Sequence, residues 1–384
     1  LRDIAESLGL TKTSLYYYVK TKEELIYQCY MATLEHHHDS LDEIEQRHEG
    51  PMERASAFFL RQFFDWQAAQ EGRAPHRAVL LEIAGLKGEH RKDVEARYIA
   101  MFKRLRDYIR QGVDSGELRP CEPASTVLAL LGSLDWAFSW LHEVPAGQVQ
   151  QTAEQALDVF AHGLYAGSGD YSPTQLNIEA ASAAALQGFN REEQNRLKQE
   201  AFYKTGTWYF NKQGFNGTSL DEIAEHLNVS KGAFYYHIRN KEDLLLNCYN
   251  RSLDILEEIH DQAASAGSTG LEKAELACRR IFRVQNSDEG PLIRYNSITA
   301  LPMDTRLEVL ERTNRANRRL SDFLEEGIED GSVRSGVNTF VARELIAGAI
   351  NASIEVDLWR KVEDIDSTAL DYFDVFFNGL LQRQ

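Results

Sequence analysis

The sequence predicts an all-α protein built from two similar modules in tandem. Three observations lead there: a duplicated segment, apolar residues recurring at intervals of three and four, and little strand-like alternation. Residues 1–30, LRDIAESLGLTKTSLYYYVKTKEELIYQCY, align without gaps with residues 220–249, LDEIAEHLNVSKGAFYYHIRNKEDLLLNCY, and thirteen of the thirty positions are identical. The 219-residue offset is far too long for a solenoid repeat, so the repeated unit is a whole domain.

Each duplicated segment is followed by helical patterning. In the first module the periodic stretches run over 23–47, 52–67, 74–87, 92–114, 124–142 and 148–166. In the second they run over 242–264, 271–286, 290–301, 306–330, 339–359 and 366–381. Glu49-Gly50-Pro51 and Glu289-Gly290-Pro291 break both series at matching places. The expected organisation is a partial DNA-binding head at 1–22, a helical body at 23–166, a linker at 167–190, a complete head at 191–241 and a second body at 242–384. The linker opens with Gly, Ser and Pro and turns Ala-rich over 176–186, where a short helix is plausible. Asn190 and Glu193 then read as a capped helix start.

No apolar run approaches the roughly 20 residues that span a bilayer, and no leader-like start is read, so a cytoplasmic protein without membrane contact is expected. The four cysteines are far apart and form no C-x-x-C pair, which points to buried free thiols. The net charge of −17 excludes general coating of nucleic acid, but residues 1–22 and 191–241 each carry +2. Two weakly basic islands in an acidic body suit local phosphate contact.

Those islands contain a helix-turn-helix pattern. In the second, a first helix over 191–213 turns Tyr203, Tyr209 and Phe210 inward and ends at Gly214. Ser219 and Glu222 form an expected capping box for a second helix over 220–227. Asn228, matched by Gly9, supplies the sharp turn, since Asn and Gly best tolerate a left-handed backbone. Ser230 and Thr11 cap the third helices, 231–238 and 12–19. The N-terminal residues of such a helix face bases in the major groove. Here they are Lys12, Thr13 and Ser14 in one head and Lys231, Gly232 and Ala233 in the other, small except for one lysine. Tyr17, Tyr18, Tyr236 and His237 are placed to reach phosphates, and Tyr16 and Tyr235 base methyls or sugars. One ring of each tyrosine pair is expected to pack inward. Lys22 and Lys241 begin the next helices, where exposed N–H groups favour phosphate, and Thr218 and Ser219 complete the set in the second head.

The run S-K-G-A-F-Y-Y-H-I-R-N-K-E-D-L resembles the DNA-binding signature of the tetracycline-repressor (TetR) family, and T-K-T-S-L-Y-Y-Y-V-K-T-K-E-E-L is a second version. The resemblance covers about 50 residues of the second module and 25 of the first, whose first helix would precede Leu1. It implies nine-helix subunits that dimerise through their last two helices and release an operator when a small ligand enters the body. Thr13 stands where the family usually has Gly and Tyr18 where it often has His, so the first head departs from the pattern.

The implied partners are double-stranded operator DNA and a small effector, with 124–166 packing on 339–381 as an intramolecular pseudo-dimer. A further dimer of chains stays open. Such a dimer would present its groove-reading helices roughly 34–36 Å apart. Phe59, Phe63, Trp66, Trp136 and Trp140, with Phe282, Tyr295 and Trp359 in the second module, are the candidate effector-pocket aromatics, although plain core packing explains most such residues. His36-His37-His38 point about 100° apart on a helix, cannot converge on one metal, and read as a solvated face. No cofactor and no catalytic constellation is expected. The rival reading is a scaffold that binds DNA without sensing, its bodies serving only for association.

Overall fold

The computed structural model describes residues 1–7, 9, 11–80, 83–173 and 191–383; most of the expected linker, its short helix and the Asn190 cap lie outside that set. The first module contributes α1 (Arg2–Ser7), α2 (Lys12–Tyr18), α3 (Lys22–Arg47), α4 (Pro51–Gln70), α5 (Gly88–Ser115), α6 (Pro123–Trp136) and α7 (Val149–His162). The second contributes α8 (Arg191–Gly217), α9 (Leu220–His226), α10 (Lys231–His237), α11 (Lys241–Ala266), α12 (Gly270–Gln285), α13 (Met303–Asp330), α14 (Thr339–Ala352) and α15 (Ile365–Asn378). The all-α reading holds: among the described residues there is no strand, only two isolated bridges.

Two predicted helices are corrected. Segments 74–87 and 290–301 yield only short 3-10 turns, Ile83–Gly85 and Tyr295–Ala300, with 81 and 82 outside the described residues. Pro75 and Pro291 each withdraw an N–H near the expected helix start. The stretches 124–142 and 339–359 also stop early, at Trp136 and Ala352, and continue as 3-10 turns.

Local caps explain most remaining boundaries. Glu122 accepts from the Ala124 and Ser125 amides, Asn338 from Val341, and Asp364 from Asp366 and Ser367. Thr269 and Glu272 form a complete capping box. The two bodies share one packing scheme: α3, α4 and α5 pack mutually with α4 on α7, as α11, α12 and α13 do with α12 on α15. One apolar core runs through both bodies, whereas the second head has its own core around Phe202, Phe210, Ile223, Phe234 and Ile238. In the first head only Ala5, Leu15 and Val19 form a small separate cluster.

The bodies meet where α6 crosses α14. Glycine on both helices allows their backbones to approach: a Cβ on Gly132 would lie 2.5 Å from the Ala352 Cβ, and one on Gly348 2.5 Å from the Trp136 Cβ and 2.7 Å from the Gly132 carbonyl oxygen. The Ser133 hydroxyl donates to the Leu345 carbonyl at 2.7 Å, and the Trp136 indole to the Glu344 carboxylate at 3.0 Å. At either end of the crossing the same exchange appears with the modules swapped. Leu118 bridges to Leu381, and Tyr165 to Val333. The Arg119 amide donates to the Leu380 carbonyl and the Arg334 amide to that of Leu164, both at 2.9 Å. The Arg119 guanidinium donates to the Gly379 carbonyl and pairs with Asp374, while that of Arg334 donates to the Gly163 carbonyl and pairs with Asp158. The contact is self-complementary, as across a two-fold axis.

Gly348→Val should therefore lower stability by about 1–3 kcal/mol in denaturant titration. Gly336→Ala, whose new methyl would meet nothing within 4 Å, should stay within about 0.5 kcal/mol of the parent.

Candidate nucleic-acid interface and adjoining cavities

The second head is a three-helix unit in which α10 projects from a floor of buried rings. Phe234 is the α10 residue that enters the core, against Phe202 at 5.1 Å, and Ile238 closes the far end. The expected turn is present: Asn228 has φ 53°, the one positive φ outside glycine among the described residues, and Gly9 has φ 66° at the matching place. Ser230 accepts from the Ala233 amide and Thr11 from that of Ser14, so both third helices are capped as predicted. The next helices are capped by Thr21 and Asn240.

With Phe234 and Leu15 inside, the tyrosines face outward. Tyr236 is 84% exposed and Tyr17 80%, with Tyr18 at 68%. Tyr235 and Tyr16 are about half as exposed, so the expectation that one ring of each pair turns inward is corrected. The aliphatic or phenyl residue one place earlier, Leu15 or Phe234, takes the core position and rotates both tyrosines away. His237 is half-buried against Phe202 and Tyr236. Thr13, Ser14, Lys22, Gly232 and Ala233 are exposed, and no atom lies within 4 Å of a Cβ built on Gly232. Lys12 heads α2, its side chain outside the described residues.

Other members of the expected set are engaged by the protein itself. Thr218 is buried, its hydroxyl donating to the Gly214 carbonyl at 2.8 Å, so it braces the end of α8 and does not face outward. Ser219 occupies the N-cap position of α9 but makes no side-chain cap bond. The Lys241 ammonium donates to the carbonyls of Phe215 and Thr218 at 2.9 and 2.8 Å and sits over the Phe215 ring, tying α11 to the end of α8. Lys231 pairs with Asp221 at 2.6 Å, and Tyr235 donates to the other oxygen of that carboxylate at 3.3 Å. The Lys231 hydrogen bond holds the Asp221 carboxyl below its ordinary pKa, and Asp221 holds the ammonium above its own. Nothing in the local sequence marks Asp221, which sits one helix earlier and reaches Lys231 only through the turn at Asn228.

Most of the candidate pocket aromatics are corrected to core. Phe59 packs at a tilt on Phe63 and edge-on to Phe160, Trp140 meets Phe63 and Phe340 edge-on, and Phe282 lies among Tyr372 and Phe373. Trp66 packs half-buried against the same core. Helical spacing alone does not distinguish a face turned to a void from one turned to another helix. The remaining three border cavities. Trp136 and Tyr295 line one of about 110 Å³ in the second body, together with His260, Gln285 and Asn317. Burial lowers the His260 pKa to about 4, and its Nδ1 has no hydrogen-bond partner among the described residues. Trp136 and Trp359 line a larger one, about 610 Å³, between the modules.

Two further expectations change. His36, His37 and His38 are half-buried, with His36 bonded to Asp65 at 2.5 Å and Arg77 at 3.1 Å, so this face of α3 is covered and not solvated. Among the described residues no group of three His, Cys, Asp or Glu is placed to hold a metal ion. The cysteines are free thiols, but Cys29 is exposed and Cys121 half-buried. No described helix is long and apolar enough to cross a membrane.

Comparison with known proteins adds the following. Residues 205–248 match the family described as "Bacterial regulatory proteins, tetR family", and residues 59–164 match "Tetracyclin repressor-like, C-terminal domain". The chain is 23% identical over 150 residues to the fatty acid metabolism regulator protein of Bacillus subtilis, covering 37% of this chain and 74% of that one. It is 31% identical over 119 residues to the biofilm operon icaADBC negative transcriptional regulator IcaR of Staphylococcus epidermidis, covering 30% and 60%. Among solved structures, the ketosteroid transcriptional regulator KstR2 of Mycobacterium tuberculosis aligns with a TM-score of 0.42 at 16% identity, over 51% of this chain and 98% of that one. Residues 205–248 and 59–164 therefore carry TetR-family regulator domains of the N-terminal and C-terminal kinds, respectively.

Proposed function

We propose that the chain is a ligand-responsive repressor in which two TetR-like modules, fused in tandem, form a pseudo-dimer with two unequal DNA-binding heads. The observation that carries this reading is the self-complementary exchange between Arg119 with Leu118 and Arg334 with Val333, which a pair of related modules makes about a two-fold axis. The order of the family matches supports it too, because the C-terminal kind of domain at 59–164 precedes the N-terminal kind at 205–248. The domains are 1–22 and 191–241 as heads, 23–166 and 242–384 as bodies, and 167–190 as linker. Such a regulator works where the chromosome is, in the cytoplasm.

Groove reading falls to α10 and α2. Exposed Tyr236 and Tyr17 supply phosphate contacts, the open surface at Gly232 admits close backbone approach, and Lys231 exchanges Asp221 for a phosphate on binding. Because the heads differ at Thr13 against Gly232 and Tyr18 against His237, the operator is a pseudopalindrome with unequal halves. The comparisons include regulators in complex with isovaleryl coenzyme A and with stearoyl-CoA, which makes sensing of a small molecule a fitting role for the bodies.

Three outcomes test this. Lys231→Ala and Tyr236→Ala should each weaken operator binding roughly 5- to 100-fold in gel shift, and Lys231→Ala should reduce the salt slope by about one. Asp221→Asn should strengthen duplex binding at low salt by releasing the lysine. A nuclease footprint should show two unequal half-sites, whereas a perfectly symmetric footprint, or unchanged affinity in both alanine variants, contradicts the two-headed reading.

A further inference from the structure

The two bodies correspond element by element. Helices α3 and α11 are both 26 residues long, α5 and α13 both 28, and α6 and α14 both 14. Equivalent bonds fix the register: the Ala78 amide donates to Thr33 as the Ile293 amide does to Ser252, and the Met52 amide donates to Glu117 as the Leu271 amide does to Ser332. On that register, the wall of the cavity of about 110 Å³ in the second body carries smaller or more polar residues than the same positions of the first. Cys278 stands where the first body has Phe59, Ala316 where it has Met101, and Asn317 where it has Phe102. Gln285 likewise replaces Trp66, and His260 replaces Leu41. Phe59, Met101, Phe102 and Leu41 are all buried, so side chains fill in the first body the space that is open in the second.

The open chamber carries neutral hydrogen-bonding groups. Gln285 is 8% exposed; its Oε1 accepts from the Leu292 amide at 2.9 Å, and its Nε2 has no partner among the described residues. The Asn317 side-chain amide makes no bond to any described residue, and His260 keeps its unpartnered Nδ1. Among the described residues of the wall only Arg343 is charged, and it is committed to Glu344 at 2.5 Å and to the Phe340 ring at 4.8 Å. Trp136, from the first body, meets Tyr295 edge-on at 5.2 Å and adds aromatic surface. Polar groups left unbonded in such a surround are costly until a ligand or water satisfies them, and nothing there compensates a charged guest. The volume sets the size of the guest. Drug-sized ligands need roughly 300–1,000 Å³, whereas an apolar void of roughly 150 Å³ takes benzene.

We propose that the second body alone is a ligand chamber, taking one neutral single-ring molecule with a hydrogen-bonding substituent, of the phenol class, and that the first body is plugged by its own side chains. The wall segment at Leu292 is tied to the second head. Asn211 of α8 donates to the Leu292 carbonyl and accepts from the Arg294 amide, both at 2.8 Å. An occupant that shifts this segment therefore acts on α8. Any effect on DNA affinity rests on the regulator reading above, but the binding and its stoichiometry do not.

The test is calorimetric titration of the full chain without DNA, using phenol and the similarly sized anion benzoate. One phenol should bind per chain, and benzoate should bind at least tenfold more weakly. Asn317→Phe should weaken phenol binding at least tenfold by filling the chamber, and His260→Leu at least threefold by removing a polar group. Each variant carries a side chain that the other body already accommodates at the matching place, and melting without ligand checks that it folds. Saturating phenol should raise the melting temperature of the parent and leave that of Asn317→Phe unchanged. No phenol binding at millimolar concentration, two sites per chain, equal binding of benzoate, or unchanged phenol affinity in both variants would each overturn the proposal. Phenol bound as described but without effect on duplex affinity would leave the chamber standing and contradict the ligand-responsive reading.

Discussion

The crossing of α6 over α14 is the contact on which the rest of the molecule depends. Two glycines at its centre remove the side chains that would hold the helices apart, and Ser133 and Trp136 then bond across the gap. Close approach of this kind permits dispersion contacts along both backbones, and it also fixes the crossing angle. The two bodies take their relative placement from that angle. The arginines at either end act as latches. Arg119 and Arg334 are each directed into the chain end of the opposite module, with carbonyl and carboxylate partners both supplied there.

The two heads share one local pattern. Both have the left-handed turn, the capped third helix and outward tyrosines. In the second, Ile223 is fully buried; its equivalent in the first, Ile4, is 38% exposed. In the second head α8 supplies Phe202 and Phe210 to the floor.

Much of this was legible in the sequence because the signals are local. Capping residues such as Ser230 and Asn240 act within three residues of themselves, and the Asn228 turn is a property of its own backbone. The repeat likewise needs only the one-dimensional string. What escaped reading depends on partners distant in sequence. Thr218 reads as a member of the DNA-facing set and is buried against the end of α8, Lys241 reads as a phosphate contact and is held by two carbonyls, and Phe59 and Phe282, pocket candidates by spacing, are core. Helical spacing says that a face is apolar; it does not say whether that face meets a void or another helix. The segments 74–87 and 290–301 show the converse, since their apolar spacing suggested helix while their prolines opposed it.

Lys241 has a mechanical implication. Its ammonium joins the start of α11 to the carbonyls that end α8, so the head cannot pivot at that seam without giving up two charge-assisted bonds. With Phe234 seated beneath α10, the three head helices behave as a stiff plate whose edge, α8, rests on the first body at Ile83–Gly85. A small tilt of that edge is magnified at the far rim, where Tyr236 stands.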